Sequence, residues 1–281
     1  MVGMENNQPL RFATFLSSNL WDTYSSIARY VGKALGCKSL LTVGHSFDAF
    51  AEDEIDVGFV CGLIYARMAR YADCPIELLA APVLHGRRYA GKPIYFSDVV
   101  VRKESSFFSF DDLRDCTWAY NEFISHSGWN LVCYSLLQQG RTPGYFGRIV
   151  KSGSHLKSLR MVLDGQVDAT AIDSHVLDVM LRQDPALGAR LRVIETLGPS
   201  GIPPVVVAKR LDDCLKQRIR TALLHMHHNA ASANELRRGL IERFAPVTDE
   251  HYAGMLGMLA QVELAQFSHP LSGLVLASGR R

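Results

Sequence analysis

Short apolar runs alternating with longer stretches of helical period limit what this chain can fold into more than any other feature. "LRFATFL" has the length and content of a strand. "WDTYSSIARYVGKALG" follows it, with Tyr24, Ile27, Tyr30, Val31 and Leu35 on one helical face and Gly36 placed to end the helix. "SLLTVG" reads as a second strand, "SFDAFAEDE" as a short acidic helix, and "IDVGFV" as a third, buried strand ahead of "GLIYARMARYA". Repeated strand-helix-strand units predict an α/β fold with a mostly parallel sheet and helices on both faces. Ligands of such sheets sit beyond the carboxyl ends of the strands.

A second set begins near Ser97. "DVVVRK", "TWAYNEF", "GRIVKSG" and "VDATAID" read as strands, interleaved with a short capped helix at "SFDDLRD" and longer helices at "GWNLVCYSLLQQG" and "HLKSLRMVLDG". "LRVIETL" and "PPVVVAK" bring the chain back. Beyond them the chain reads as nearly all helical, through "DDCLKQRIRTALLHMHHN" and "HYAGMLGMLAQVELAQF". The pattern predicts one lobe from residues 9–98 and 195–281, with a second lobe, 99–194, inserted into it. Two crossings imply a hinge, near Tyr95 to Val101 and Ile194 to Pro204, and a ligand cleft between the lobes.

The stretch "NEFISHSGWN" then acquires a place. Ser125, His126, Ser127 and Gly128 fall in a strand-to-helix turn, at the start of a helix. A helix start has unpaired N–H groups and a partial positive charge, and serine hydroxyls there cap the helix or bond a ligand oxygen. The two roles remain alternatives for Ser125 and Ser127. "KSGSHLKSLRMVLDG" repeats the design: a turn from Ser152 to Ser154, then His155 at the next helix start. His155 either donates to an anionic oxygen or bonds backbone only.

Composition sets the outer bounds. The 281 residues are 48% apolar and 21% charged with a net charge of +2, which excludes a disordered chain and gives no footprint for nucleic acid. An anionic partner is therefore small and locally held. No apolar run approaches the ~20 residues of a membrane span, so no membrane insertion is expected. The start, "MVGMENNQPLRFATF", has no basic region followed by a long apolar one, and Cys37, Cys61, Cys74, Cys116, Cys133 and Cys214 are scattered without a paired spacing. As written the chain is expected to be cytoplasmic, or periplasmic if a leader has been removed. No phosphate-loop, dinucleotide, hydrolase-elbow or zinc-protease motif occurs, so no cofactor or metal is expected. "HMHH" (His225 to His228) lacks a cysteine or acidic partner at ligand spacing and reads as a solvated helix face. "RRGLIERF" and the terminal "GRR" read as solvated surface.

Five stretches, in order, resemble a known family: "DVGFVCGLIY", "PIYFSDVVVRKES", "SFDDLRDCTWAYNEFISHSGWN", "SGSHLKSLRMVLDGQVDATAID" and "LRVIETLGPSGIPP". The family is that of phosphate/phosphonate-type substrate-binding proteins of ABC transporters, with the two-lobed type 2 periplasmic-binding-protein fold. The resemblance implies that Ser125, His126, Ser127 and His155 grip an oxyanion head and that Tyr95, on the incoming crossover, lines the cleft. It also implies an ABC permease or sensor as partner. The chain departs from the family where Asn121, Glu122 and Phe123 precede the serine turn in place of a proline or aspartate-proline. Glu122 would repel a dianion unless it points away or accepts from a ligand amine or hydroxyl.

The remaining candidates have two readings each. Asp173, beside His175, either binds a ligand cation or amine or caps the next helix. Phe59 and Tyr65 wall the pocket or fill the core, and Tyr24, with Asn19 and Trp21, closes the far side of the cleft or packs a helix. No nucleophile with a base beside it is evident, so no catalytic residue is assigned. Two function classes stay open. One is a solute-binding protein closing on a small phosphonate- or phosphate-like oxyanion for transport or sensing. The other is a cytosolic enzyme of the same fold, acting on a small carboxylated or phosphorylated metabolite, with His126, Glu122 and His155 moving protons.

Overall fold

Strand β1 (Leu10–Thr14) leads through a 3-10 turn (Ser18–Leu20) into α1 (Trp21–Leu35), whose buried face is Tyr24, Ile27, Val31 and Leu35. Gly36 ends the helix in the left-handed region (φ 75°), where a side chain would be strained. A computed structural model describes residues 8–267, so the terminal "GRR" and residues 268–281 of the expected first lobe lie outside the described residues.

The chain continues through β2 (Ser39–Val43), β3 (Val57–Phe59), α2 (Gly62–Met68), β4 (Ile76–Leu84) and β5 (Ile94–Arg102). Then come β6 (Thr117–Tyr120), a π-helical turn (His126–Asn130) running into α3 (Leu131–Gln138), β7 (Arg148–Lys151), α4 (His155–Leu163), β8 (Ala169–Asp173), α5 (Ser174–Gln183) and α6 (Ala186–Arg190). β9 (Leu191–Gly201), β10 (Val205–Ala208), α7 (Asp213–His225), α8 (Ala230–Arg238), β11 (Ile241–Ala245) and α9 (Glu250–Leu264) complete it.

Two sheets flanked by helices make two lobes, one in the order β11-β4-β10-β3-β1-β2 and the other β7-β6-β8-β5-β9. Both are mixed, which corrects the expectation of mostly parallel sheets. In the first, β1 runs parallel to β2 and β3, while β10 is antiparallel to β3 and β4, and β11 to β4. In the second, β6 is parallel to β7 and β8, and β5 is antiparallel to β8 and β9. β5 enters the second sheet and β10 re-enters the first against the direction of the strand-helix-strand units, and β11 is a further reversed strand at the edge beside β4.

The last third of the chain is also less helical than expected. Ile241–Ala245 is an edge strand, with Ile241 and Phe244 buried against β4. Five residues are too few for periodicity to separate a strand from a helix turn. β4 itself carries Pro82, which removes a ladder donor, but it pairs with β10 only as far as Ala80 and with β11 beyond that point. "SFDAFAEDE" and "SFDDLRD" supply only single 3-10 turns, Asp48–Phe50 and Asp111–Leu113.

Connections 85–93 and 202–204 link the sheets. Arg88 and Tyr89 tie the first of these to the second lobe, through Asp98 (2.9 Å) and Asp178 (2.6 Å) respectively. α9 packs on α2 in one lobe and on α3 and β9 in the other.

Candidate functional site

The parallel trio β7-β6-β8 decides where the site lies. Because these strands run side by side in one direction, their carboxyl ends emerge together, and each is followed by a helix start. β6 ends at Tyr120, just ahead of the segment 121–124 that leads into the serine turn, β7 opens into the glycine turn before α4, and β8 passes into α5. Backbone bonds join the first two turns: Ser152 N–H donates to Tyr120 O (2.8 Å) and Gly153 N–H to Asn121 O (3.0 Å).

Each start is capped. Ser125 Oγ accepts from Gly128 N–H at 3.1 Å, Ser154 Oγ from Lys157 N–H at 3.2 Å, and Asp173 Oδ1 from His175 and Val176 N–H at 2.8 and 3.3 Å. Ser127 is not the cap. Its carbonyl accepts from Ser97 Oγ–H at 2.7 Å, and its hydroxyl lies 3.3 Å from His155 Nε2. His155 is buried, with Nε2 toward Ser127 and the ring also held by the backbone of Ala171 in β8. Gly128 packs against Asn121, whose side chain would have to move to admit a Cβ there.

The charges are arranged so that an anion meets little opposition. Glu122, a puzzle from sequence, forms an ion pair with Lys151 at 2.6 Å. Burial lifts the Asp173 carboxyl to about 7, against the pull of its two backbone donors. Burial pushes His155 and His175 down to about 4, leaving both imidazoles neutral near pH 7. Among the described residues no Lys or Arg lines the cavity, so its positive potential comes from helix starts.

These groups share a cavity of about 220 Å³ between the lobes. Of the residues singled out from sequence, Tyr24, Phe59, Tyr95, Asn121, Glu122, Ser125, Ser127, His155 and Asp173 line it. His126, Gly128 and Tyr65 do not. His126 is fully buried and turned toward β9, its Nε2 2.9 Å from Ser200 Oγ and its Nδ1 accepting from Asn130 Nδ2 at 3.1 Å. Burial holds it at about 3, so it stays neutral. Tyr65 donates to Asp249 at the start of α9 and meets Tyr252 edge-on. Tyr24 and Phe59 stack at 4.3 Å on the first-lobe side.

Sequence reasoning missed the other half of that wall. Phe15, Leu16 and Ser17 follow β1, and Cys61 and Ile64 open α2. The serines of "SSNL", ahead of a strong helical period, carry the same helix-start signal as the two turns that were found. Ser17 Oγ is buried without a partner. Pro82, Val205, Ile241 and Phe244 come from β4, β10 and β11 of the same sheet, and nothing local marks them as lining residues.

Two lobes with capped helix starts facing one cavity define a ligand-binding protein of the type 2 periplasmic-binding-protein class. The chain belongs to the family of ABC transporter, phosphonate, periplasmic substrate-binding proteins, whose model matches residues 12–252, and it is a solute-binding protein. Solved structures share the fold. PhnD1 from Prochlorococcus marinus, in complex with methylphosphonate, superposes with a TM-score of 0.79 at 16% identity, covering 92% of this chain and 99% of that one. The binding protein component of an ABC phosphonate transporter from Pseudomonas aeruginosa gives 0.73 at 18%, covering 92% and 97%. XAC2383 from Xanthomonas citri, bound to ATP, gives 0.67 at 18%, covering 91% and 97%. No described helix is long and apolar enough to cross a membrane.

Proposed function

We propose that this protein closes its two lobes on a small phosphonate- or phosphate-like oxyanion and delivers it, in the periplasmic setting of its family, to an ABC permease. Ser125, Ser127 and His155 hold the head together with the N–H groups of the helix starts. Tyr95, Tyr24 and Phe59 form walls, and Asp173 fixes the start of α5 while keeping its own charge low. Asn121 shapes the serine turn, and Glu122 stays paired to Lys151. His126 is a positioning residue that orients the turn through Ser200, as Gly128 does through Asn121.

One observation carries this reading: three capped helix starts from adjacent parallel strands point at one cavity, where the Ser127 hydroxyl and the His155 ring meet. Such a site bonds an oxyanion without a fixed cation, which suits reversible capture. The lobes divide at connections 85–93 and 202–204, one taking 8–84 and 205–267 and the other 94–201. The pivot lies beside Gly86, whose φ of 125° favours glycine. Across the cleft, Asn19 Nδ2 donates to Val176 O (3.1 Å) and His175 Nε2 to Gly239 O (2.6 Å), bonds that opening must break.

Calorimetric titration with methylphosphonate and with phosphate tests the assignment. One-site binding of either, weakened by His155→Ala, is expected. Binding of neither, or binding that ignores His155→Ala, removes the oxyanion from this cavity.

A further inference from the structure

The cavity has two chemically different ends. On the second-lobe side stand the helix starts, with Ser125, Ser127, Ser154 and His155. On the first-lobe side the cavity continues beneath α1 across the sheet. There it meets Leu20, Ile27, Pro82, Val205, Ile241 and Phe244, drawn from the turn before α1, α1 itself, β4, β10 and β11. Those side chains are core residues: Leu20 is 2% exposed, Ile27, Val205 and Ile241 are each 1% exposed, and Phe244 is 3% exposed. Of the first-lobe lining only Ser17, Tyr24 and Cys61 carry a polar side-chain atom, and the side chains from β4, β10 and β11 carry none.

We infer that the ligand is an oxyanion carrying an uncharged apolar substituent, alkyl or aryl, of about four to six carbon atoms, which occupies this chamber. The inference rests on the oxyanion site proposed above and adds the class of the tail. The size follows from the volume. An oxyanion head fills roughly the space of two or three waters at about 30 Å³ each. Subtracting it from the cavity of about 220 Å³ leaves a space close to the ~150 Å³ that accepts benzene in a dry protein cavity. The charge follows from the lining. A cationic tail lying at the first-lobe end would meet no carboxylate, because the two acidic residues of the lining, Glu122 and Asp173, both belong to the second lobe, and Glu122 is paired with Lys151. A polyanionic tail would find no Lys or Arg among the described lining residues. An apolar tail alone meets partners of its own kind.

The test is calorimetric titration of the wild-type protein with methyl-, ethyl-, n-propyl- and n-butylphosphonate, and with 2-aminoethylphosphonate, which has nearly the shape of the propyl compound. Burying a methylene is expected to tighten binding about fourfold per step up to butyl. The propyl compound should bind at least about tenfold more tightly than the aminoethyl one, because the ammonium loses its water without gaining a partner. Affinity that stays flat or falls along the alkyl series while methylphosphonate binds, or an aminoethyl compound as tight as the propyl, overturns the apolar tail and leaves the oxyanion site standing. Absence of binding by every member of the series overturns both.

Discussion

Ser127→Ala separates the two roles a helix-start serine can have, because the structure divides them between Ser125 and Ser127. The cap bond belongs to Ser125, whose Oγ accepts from Gly128 N–H at 3.1 Å. Ser127 joins the turn through its backbone carbonyl, held by Ser97 Oγ at 2.7 Å, and alanine keeps that bond. What alanine removes is one hydroxyl, 3.3 Å from His155 Nε2, at the edge of hydrogen-bond range. The stability cost should therefore stay below about 1 kcal/mol. A hydroxyl bonded to a charged acceptor is worth about 1.5–3 kcal/mol, so affinity for the oxyanion should fall roughly tenfold to a hundredfold. Ser125→Ala loses the cap as well, costing about 1 kcal/mol, and in a chain of this size lowers Tm by about 2–4 °C. Titration calorimetry and melting curves on the wild type and both variants give the comparison. A Ser127→Ala protein that binds within twofold of wild type yet melts as early as Ser125→Ala would refute the reasoning, leaving the turn a structural cap.

Three further outcomes are expected. Burial lifts Asp173 from 3.8 to about 7, so the stability its protonated carboxyl contributes is present near pH 4 and lost as pH rises toward 7. His126, His155 and His175, held at about 3, 4 and 4, act in the opposite sense, their cost being greatest at low pH and gone above about 6.5. The Tm of Asp173→Asn relative to wild type isolates the carboxyl and should move in the variant's favour between pH 5 and 7.5; a pH-independent difference contradicts it. Lys151→Ala uncovers the carboxylate of Glu122, 2.6 Å from its present partner, and because the pair is half-exposed it should weaken oxyanion binding only about two- to fivefold, less in high salt. Equal loss at low and high salt would point to a packing effect instead. Small-angle scattering should show a more compact particle with saturating ligand, and an unchanged profile alongside calorimetrically confirmed binding would count against closure about residues 85–93 and 202–204.

The parts of the site legible in the sequence are those built from local signals. Ser125 to Gly128 and Ser152 to His155 sit at strand-to-helix turns, where side chain, backbone donors and helix start lie within a few residues of one another. Their convergence was inferable because parallel neighbours end on the same side of a sheet. Orientation within a turn was not. His126 and Ser127 are adjacent, yet one ring is buried against Ser200 while the other side chain lines the cavity, a division set by the π-helical first turn rather than by residue type. Tyr65 faces Asp249, 184 residues away, a pairing that only the packing of α9 on α2 creates. The compensation of Glu122 by Lys151 likewise depends on β6 and β7 pairing Tyr120 with Lys151. The apolar chamber was invisible for the same reason, since Pro82, Val205 and Phe244 meet only through the strand order β11-β4-β10.

A co-crystal structure with methylphosphonate, or with the longest alkylphosphonate that binds, tests the central claim most directly. The account predicts closed lobes, phosphonate oxygens within hydrogen-bond distance of Ser127 Oγ, His155 and the backbone N–H groups of the serine turn, and the carbon substituent directed toward Val205 and Phe244. A phosphonate seated instead against the Arg11 and Arg210 guanidinium groups that bracket Asp56 on the far face of the first lobe, with the cleft unfilled, would contradict it.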